Sequence, residues 1–165
     1  LRNSLFRNMG ACIAPVNAYL NIIGLETLGL RMERECSNAL ELASWIENNY
    51  PDIKVNYPGL CSSKWHEIAK KQLTNGYGAI LTIRVGSKEK AFKFIDSLTS
   101  PNTLSNIGDT KTLVIHPGST ISLHSTDKQK EDAGVFEDLI RVSVGIEDID
   151  DLKEDFAQAF ANIAD

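Results

Sequence analysis

Leu139-Ile140-Arg141-Val142-Ser143-Val144-Gly145-Ile146-Glu147-Asp148 sets a single arginine inside an apolar run that closes on Gly-Ile-Glu-Asp. Strand side chains alternate between two faces, so Ile140, Val142 and Val144 share one face and Arg141 shares the other with Ser143. A partly enclosed arginine in that setting is a candidate anion fork, because a planar guanidinium matches its donors to both oxygens of a carboxylate. The same spacing also suits a solvated arginine on the open face of a half-buried strand.

Working outward, Asp148 opens a helix that keeps Ile149, Leu152, Phe156, Phe160 and Ile163 on one side, with acids early, where the helix dipole favours them. Upstream, residues 112–115 read as a strand, and Thr126 with Gln129 has the spacing of a capping box for a short helix. Leu81, Ile83 and Val85 alternate as a further strand, and Ser87 can cap a helix that turns Ala91, Phe92, Ile95 and Leu98 inward. Ile53, Val55 and Tyr57 form another strand, ended by Pro58-Gly59, with a helix over 63–73 and a turn at Asn75-Gly76-Tyr77-Gly78. Ahead of these, Leu25, Leu28, Met32, Cys36, Ala39, Ala43 and Ile46 recur at three- and four-residue steps, the stripe of one long helix. Residues 5–23 are apolar-rich and hold Pro15, which predicts two helical pieces meeting near that proline. Four strands with interspersed helices make an α/β domain of two layers.

At 165 residues, 42% hydrophobic and 24% charged, the chain has ordinary globular composition. A net charge of -5, with basic residues interleaved among acids, argues against nucleic acid as a partner. No apolar run reaches the roughly 20 residues of a membrane helix. Cys12, Cys36 and Cys61 are widely spaced, with no Cys-x-x-Cys and no histidine pair nearby, which fits neither a zinc site nor a disulfide framework and suits a reducing, cytoplasmic setting. The opening Leu1-Arg2-Asn3-Ser4-Leu5 lacks an initiator methionine and runs straight into a helical pattern, so a piece of a longer protein is expected.

Several stretches together carry a resemblance. Gly24-Leu25-Glu26-Thr27-Leu28, Leu30-Arg31-Met32-Glu33-Arg34, Val55-Asn56-Tyr57-Pro58-Gly59-Leu60, Asn106-Ile107-Gly108-Asp109-Thr110-Lys111, Ile115-His116-Pro117-Gly118-Ser119-Thr120 and Arg141-Val142-Ser143-Val144-Gly145-Ile146-Glu147 resemble the C-terminal part of the Cys/Met-metabolism family of pyridoxal-phosphate (PLP) enzymes. Nearly the whole chain is covered, and the Gly-Asp-x-Lys segment with Val-Ile-His-Pro looks most like the O-acetylhomoserine sulfhydrylases. The resemblance implies the small, C-terminal domain of the aspartate-aminotransferase-like fold (fold type I), here residues 51–165. Residues 1–50 would be a helical bridge from an N-terminal PLP-binding large domain outside this chain. It further implies a homo-oligomer, a tetramer in relatives, acting in sulfur amino-acid metabolism on a small amino-acid substrate. The activity implied is replacement of the acetyl group of O-acetyl-L-homoserine by sulfide to give L-homocysteine. Cystathionine γ-synthase, cystathionine γ-lyase and methionine γ-lyase share Arg-x-Ser-x-Gly and stand as alternatives within the family. A small regulatory ligand-binding module is the alternative of another class.

By that resemblance Arg141 would grip the substrate α-carboxylate, Asn106 sits where relatives place a Ser or Asn beside it, and Ser119 and Thr120 lie in a substrate-side loop. Asn106 reads equally as a turn residue beside Gly108 and Asp109, and the Ser119 and Thr120 hydroxyls can equally close local backbone turns. The family's Ser-x-Thr-Lys signature does not occur. Gly108-Asp109-Thr110-Lys111 and Ser125-Thr126-Asp127-Lys128 each miss it by one position, so no catalytic residue and no cofactor-binding residue is expected here, and the chain alone is expected to hold no PLP and to be inactive. His66 is expected on a solvated helix face, and His116 in a structural hydrogen bond. Two departures stand out: Ser122 and Glu35 occupy positions where the family usually has histidine.

Overall fold

The computed structural model describes residues 2–164, which divide into two compact units between residues 30 and 31. In the first, a π-helical turn (Arg2–Phe6) runs into α1 (Arg7–Met9), the chain turns at Gly10 with φ of 61°, and α2 spans Pro15–Glu26. Pro15 sits at the first helical position, where its missing N–H is one of the donors a helix leaves unpaired anyway. The two helical pieces therefore meet just ahead of it. No residue of α2 is buried, and Val16, Tyr19, Leu20, Ile22, Ile23 and Leu25 are all exposed.

The division between the units falls inside α3 (Leu28–Asn49). After it come β1 (Lys54–Asn56), α4 (His66–Gln72), β2 (Ile80–Arg84), α5 (Lys88–Ser97), β3 (Leu113–Ile115), a 3-10 turn (Pro117–Ser119), α6 (Asp127–Asp132), β4 (Leu139–Ser143) and α7 (Ile149–Ile163). The sheet order is β1-β2-β4-β3 and every neighbouring pair is antiparallel. Helix starts follow the local chemistry. The Ser87 hydroxyl accepts from Lys90 N–H, Thr126 and Gln129 complete their capping box, and the Asp148 carboxylate accepts from Asp150 N–H.

One face of the sheet carries the core. Leu81 and Ile83 of β2, Val114 of β3, and Ile140, Val142 and Val144 at β4 pack with Ala39, Leu42, Ala43 and Ile46 of α3, Ala91, Phe94 and Ile95 of α5, and Leu152, Phe156, Ala159, Phe160 and Ile163 of α7. Phe94 meets Phe156 edge to face at 5.5 Å and Phe160 at 4.7 Å, aromatic contacts that add about 0.5–1.5 kcal/mol per pair beyond the area they bury. The β4 alternation stands as read, and the architecture is α/β with helices α3, α5 and α7 on one sheet face.

Three readings change. On α5 the inward aromatic is Phe94, fully buried, while Phe92 is exposed and lies against the His116 ring. The stripe expected on one long helix is divided at Thr27, so that Leu25 ends up on α2; on α3 the buried face is Glu35, Asn38, Ala39, Leu42, Ala43 and Ile46, Met32 and Cys36 are only half-buried, and Leu28, like Leu25, is exposed. His66 is not simply solvated, because its Nδ1 lies 3.1 Å from the Pro58 carbonyl and its ring lies 5.6 Å from that of Tyr77.

Candidate functional site

Strand register builds the site. Asn56 opposes Thr82, Thr82 opposes Arg141, and Arg141 opposes Ile115, a row that crosses all four strands. Residues directly opposite one another project to the same side of a sheet. Ile140 and Val142, the neighbours of Arg141, are fully buried in the core, so the row lies on the other face. Asn56 Nδ2 donates to Thr82 Oγ1 at 3.5 Å along it. Ser143 shares that face; it is buried, and its hydroxyl has no hydrogen-bond partner among the described residues.

Arg141 is half-buried, and its Nη2 donates to the backbone carbonyl of Asn106 at 3.4 Å. A guanidinium has five N–H donors in a fixed fork, so this one long contact orients the group and leaves most of its donors for an anion. Asn106 is exposed, in the loop 103–111 that leads into β3. The structure therefore brings Arg141 and Asn106 together. Asn56 and Thr82 were not singled out from the sequence, since only the register places them in the Arg141 row.

Ser119 and Thr120 are arranged differently, around His116. That histidine is buried; its Nδ1 accepts from Ser119 N–H at 3.2 Å and lies 2.9 Å from Ser119 Oγ, and its Nε2 lies 2.8 Å from the Glu137 carbonyl. An Nδ1 that accepts a backbone N–H is unprotonated, which assigns the ring as the neutral Nε2–H tautomer donating to Glu137. Thr120 Oγ1 donates to the His116 carbonyl at 2.8 Å. Both hydroxyls are thus engaged in closing the turn after β3, and His116 has the structural role expected of it.

The electrostatic outlier is Glu35 on α3. Its side chain is fully buried and neither carboxylate oxygen has a hydrogen-bond partner among the described residues. Burial raises its pKa above the usual carboxylate value; the Arg31 charge pulls the other way and Asp109 pushes further up. Elsewhere, burial likewise holds the Tyr57 phenol well above its ordinary value, with its hydroxyl donating to the Gly78 carbonyl at 2.8 Å.

A PLP site needs a lysine for the Schiff base, an acid for the ring nitrogen and donors for the phosphate. Lys111 and Lys128 are exposed, and the Lys111 backbone N–H is tied to Asp109 Oδ1 in a local turn. A cleft of about 570 Å3 holds Lys90 beside Tyr50, Asp52, Phe160 and Ile163. No group of three or more His, Cys, Asp or Glu side chains is placed to hold a metal ion among the described residues, and no described helix is long and apolar enough to cross a membrane.

Comparison with known proteins supplies the context. The model of the family "Cys/Met metabolism PLP-dependent enzyme" matches residues 2–161. The homocysteine synthase of Schizosaccharomyces pombe is 46% identical over 159 residues, covering 96% of this chain and 37% of that protein. The O-acetyl-L-homoserine sulfhydrylase of Leptospira meyeri is 45% identical over 160 residues, covering 95% of this chain and 36% of that protein. Among solved structures, one described as an O-acetylhomoserine (thiol)-lyase from Campylobacter jejuni, which carries a pyridoxyl-lysine phosphate, matches with a TM-score of 0.89 at 38% identity, over 96% of this chain and 38% of that one. The O-acetylhomoserine sulfhydrylase of Wolinella succinogenes matches with a TM-score of 0.81 at 42% identity, over 96% of this chain and 42% of that one. The chain spans well under half the length of these relatives.

Proposed function

This chain belongs to the Cys/Met metabolism family of PLP-dependent enzymes, and from that premise we propose that it is the C-terminal part of an O-acetyl-L-homoserine sulfhydrylase, in which it binds the substrate α-carboxylate. In the reaction proposed, the Cγ–O bond of O-acetyl-L-homoserine breaks, acetate leaves and sulfide forms the Cγ–S bond of L-homocysteine. PLP, held by residues outside this chain, supplies the electron sink for that exchange. The observation that carries the reading is the Arg141 guanidinium, half-buried at the centre of the sheet and steadied by the Asn106 carbonyl with most of its donors open. Fixing a carboxylate there orients the rest of the amino acid, so its contribution is to geometry as well as affinity.

The four residues of the proposed substrate site divide the work. Arg141 receives the carboxylate, Asn106 borders it, and Ser119 and Thr120 shape the turn after β3. Residues 1–50 act as the helical bridge to the large domain and residues 51–165 as the C-terminal domain. The exposed apolar surface of α2 supports burial against the large domain or neighbouring subunits of a homo-oligomer, a tetramer in this reading. Three unpaired cysteines support a cytoplasmic setting, and the isolated chain holds no PLP.

The test is Arg141→Lys in the intact enzyme. It keeps the charge and removes the fork, and kcat/KM for O-acetyl-L-homoserine is expected to fall by the equivalent of roughly 1.5–3 kcal/mol, the worth of a charged hydrogen bond. An unchanged kcat/KM in a folded variant overturns the assignment.

A further inference from the structure

The loop that presents Asn106 to Arg141 is closed at its neck by residues outside the Arg141 row. At one side of the neck Asn102 N–H donates to the Thr112 carbonyl at 3.0 Å and Val114 N–H to the Asn102 carbonyl at 2.9 Å. At the other, Glu147 reaches across from beyond β4: its Oε1 accepts from Thr112 N–H and its Oε2 from Thr112 Oγ1 at 2.9 Å. Thr112 is fully buried, and its hydroxyl oxygen also accepts from Gly145 N–H at 3.0 Å. Ile146 N–H donates to the Thr110 carbonyl at 3.0 Å. Asn38 of α3 clamps the Glu147 segment from behind, its Nδ2 donating to the Gly145 and Glu147 carbonyls at 3.0 and 2.9 Å.

We propose that Glu147 is a positioning residue for the carboxylate site: by holding Thr112 at the loop neck it fixes the 103–111 loop against Arg141, and so sets the affinity for the amino-acid substrate. The proposal rests on the reading of Arg141 as the carboxylate receptor. A charged acceptor with two short contacts to one buried threonine is a strong fastening. The residues it fastens, 103–111, are almost all exposed and contain no helix or strand, so little else holds the loop in place. Gly145 reinforces the point: a Cβ there would lie 2.5 Å from Glu147 Oε2 and 2.5 Å from the Thr110 carbonyl, so the two segments are in contact through backbone as well as side chain.

Two measurements test it. In this chain, Glu147→Asp, one methylene too short to span both contacts, and Glu147→Gln are compared with wild type by hydrogen exchange; amides of 103–112 are expected to exchange about tenfold faster while those of β2 are unchanged. In the intact PLP-loaded enzyme the same variants are expected to raise KM for O-acetyl-L-homoserine about tenfold with kcat within about threefold, and Thr112→Ser, which keeps the hydroxyl, is expected to retain the wild-type KM where Thr112→Val does not. A KM unmoved by the Glu147 variants while Arg141→Lys raises it overturns the positioning role alone. A KM unmoved by Arg141→Lys overturns the carboxylate reading on which it rests. Equal falls in kcat and in melting temperature with no rise in KM would make Glu147 a merely structural residue and refute the proposal.

Discussion

Asp155 on α7 is buried, and its carboxylate gathers the end of α5. Oδ1 accepts from Thr99 Oγ1 at 2.9 Å and Gln158 Nε2 at 3.0 Å, Oδ2 accepts from Ser100 N–H at 2.9 Å, and Thr99 N–H lies 3.1 Å from both oxygens. Burial alone would raise the pKa of this group, but the hydrogen bonds from Ser100 and Thr99, with that from Gln158, outweigh it and hold the pKa below the usual aspartate value. In Asp155→Asn the charge goes, and an NH2 faces one of the backbone donors. A hydrogen bond to a charged acceptor is worth about 1.5–3 kcal/mol and one orphaned donor costs about 1–3; because the contacts share one group and do not add, the expected loss is roughly 2–4 kcal/mol. Urea unfolding of both proteins measures it. The sign with pH is fixed by the lowered pKa: the contribution is fully present above the unfolded aspartate value and is lost as pH falls through the folded one. The gap between wild type and Asp155→Asn should therefore be constant near neutrality and narrow in acid. A gap under about 0.5 kcal/mol at pH 7, or one that does not narrow in acid, would refute the idea that this carboxylate pins α5 to α7.

Glu35 should behave in the opposite sense, since its pKa is raised: its neutral form suits the fold below the unfolded glutamate value, and stability is lost as pH rises through the folded pKa. Glu35→Gln is then expected to gain on wild type as pH climbs from about 4.5, and a difference flat from pH 4 to 8 in matched denaturation curves would dismiss it. Gly145→Ala must displace the Glu147 carboxylate or the Thr110 backbone, and is expected to lower stability by roughly 1–3 kcal/mol, the cost of overpacking; a melting temperature within a degree of wild type would show that the segments can part freely.

How much of this was legible in the sequence depends on whether the deciding contact is local. The capping residues Ser87, Thr126 and Asp148 were, because a cap is fixed by residues three positions apart or fewer. So was the β4 alternation, which needs nothing beyond its own period. The Asn56–Thr82–Arg141–Ile115 row was not, since register joins segments far apart in the chain and no local pattern states which residue opposes which.

The α3 misreading has a different cause. At about 100° per residue, Ala39, Ala43 and Ile46 span an arc of about 60°, and Glu35 and Leu42 lie about 20° and 40° beyond its Ile46 edge, so the buried face extends to that flank of the stripe. The stripe read from three- and four-residue steps runs through Met32 and Cys36, which are only half-buried, and leaves out Glu35, Asn38 and Leu42, which the fold buries. The helix cannot turn Ala39, Leu42 and Ile46 inward without carrying residue 35 with them. The chemical consequence is a carboxyl with Arg31 on its own helix, Asp109 acting on it from the loop that bears Asn106, and no hydrogen-bond partner among the described residues.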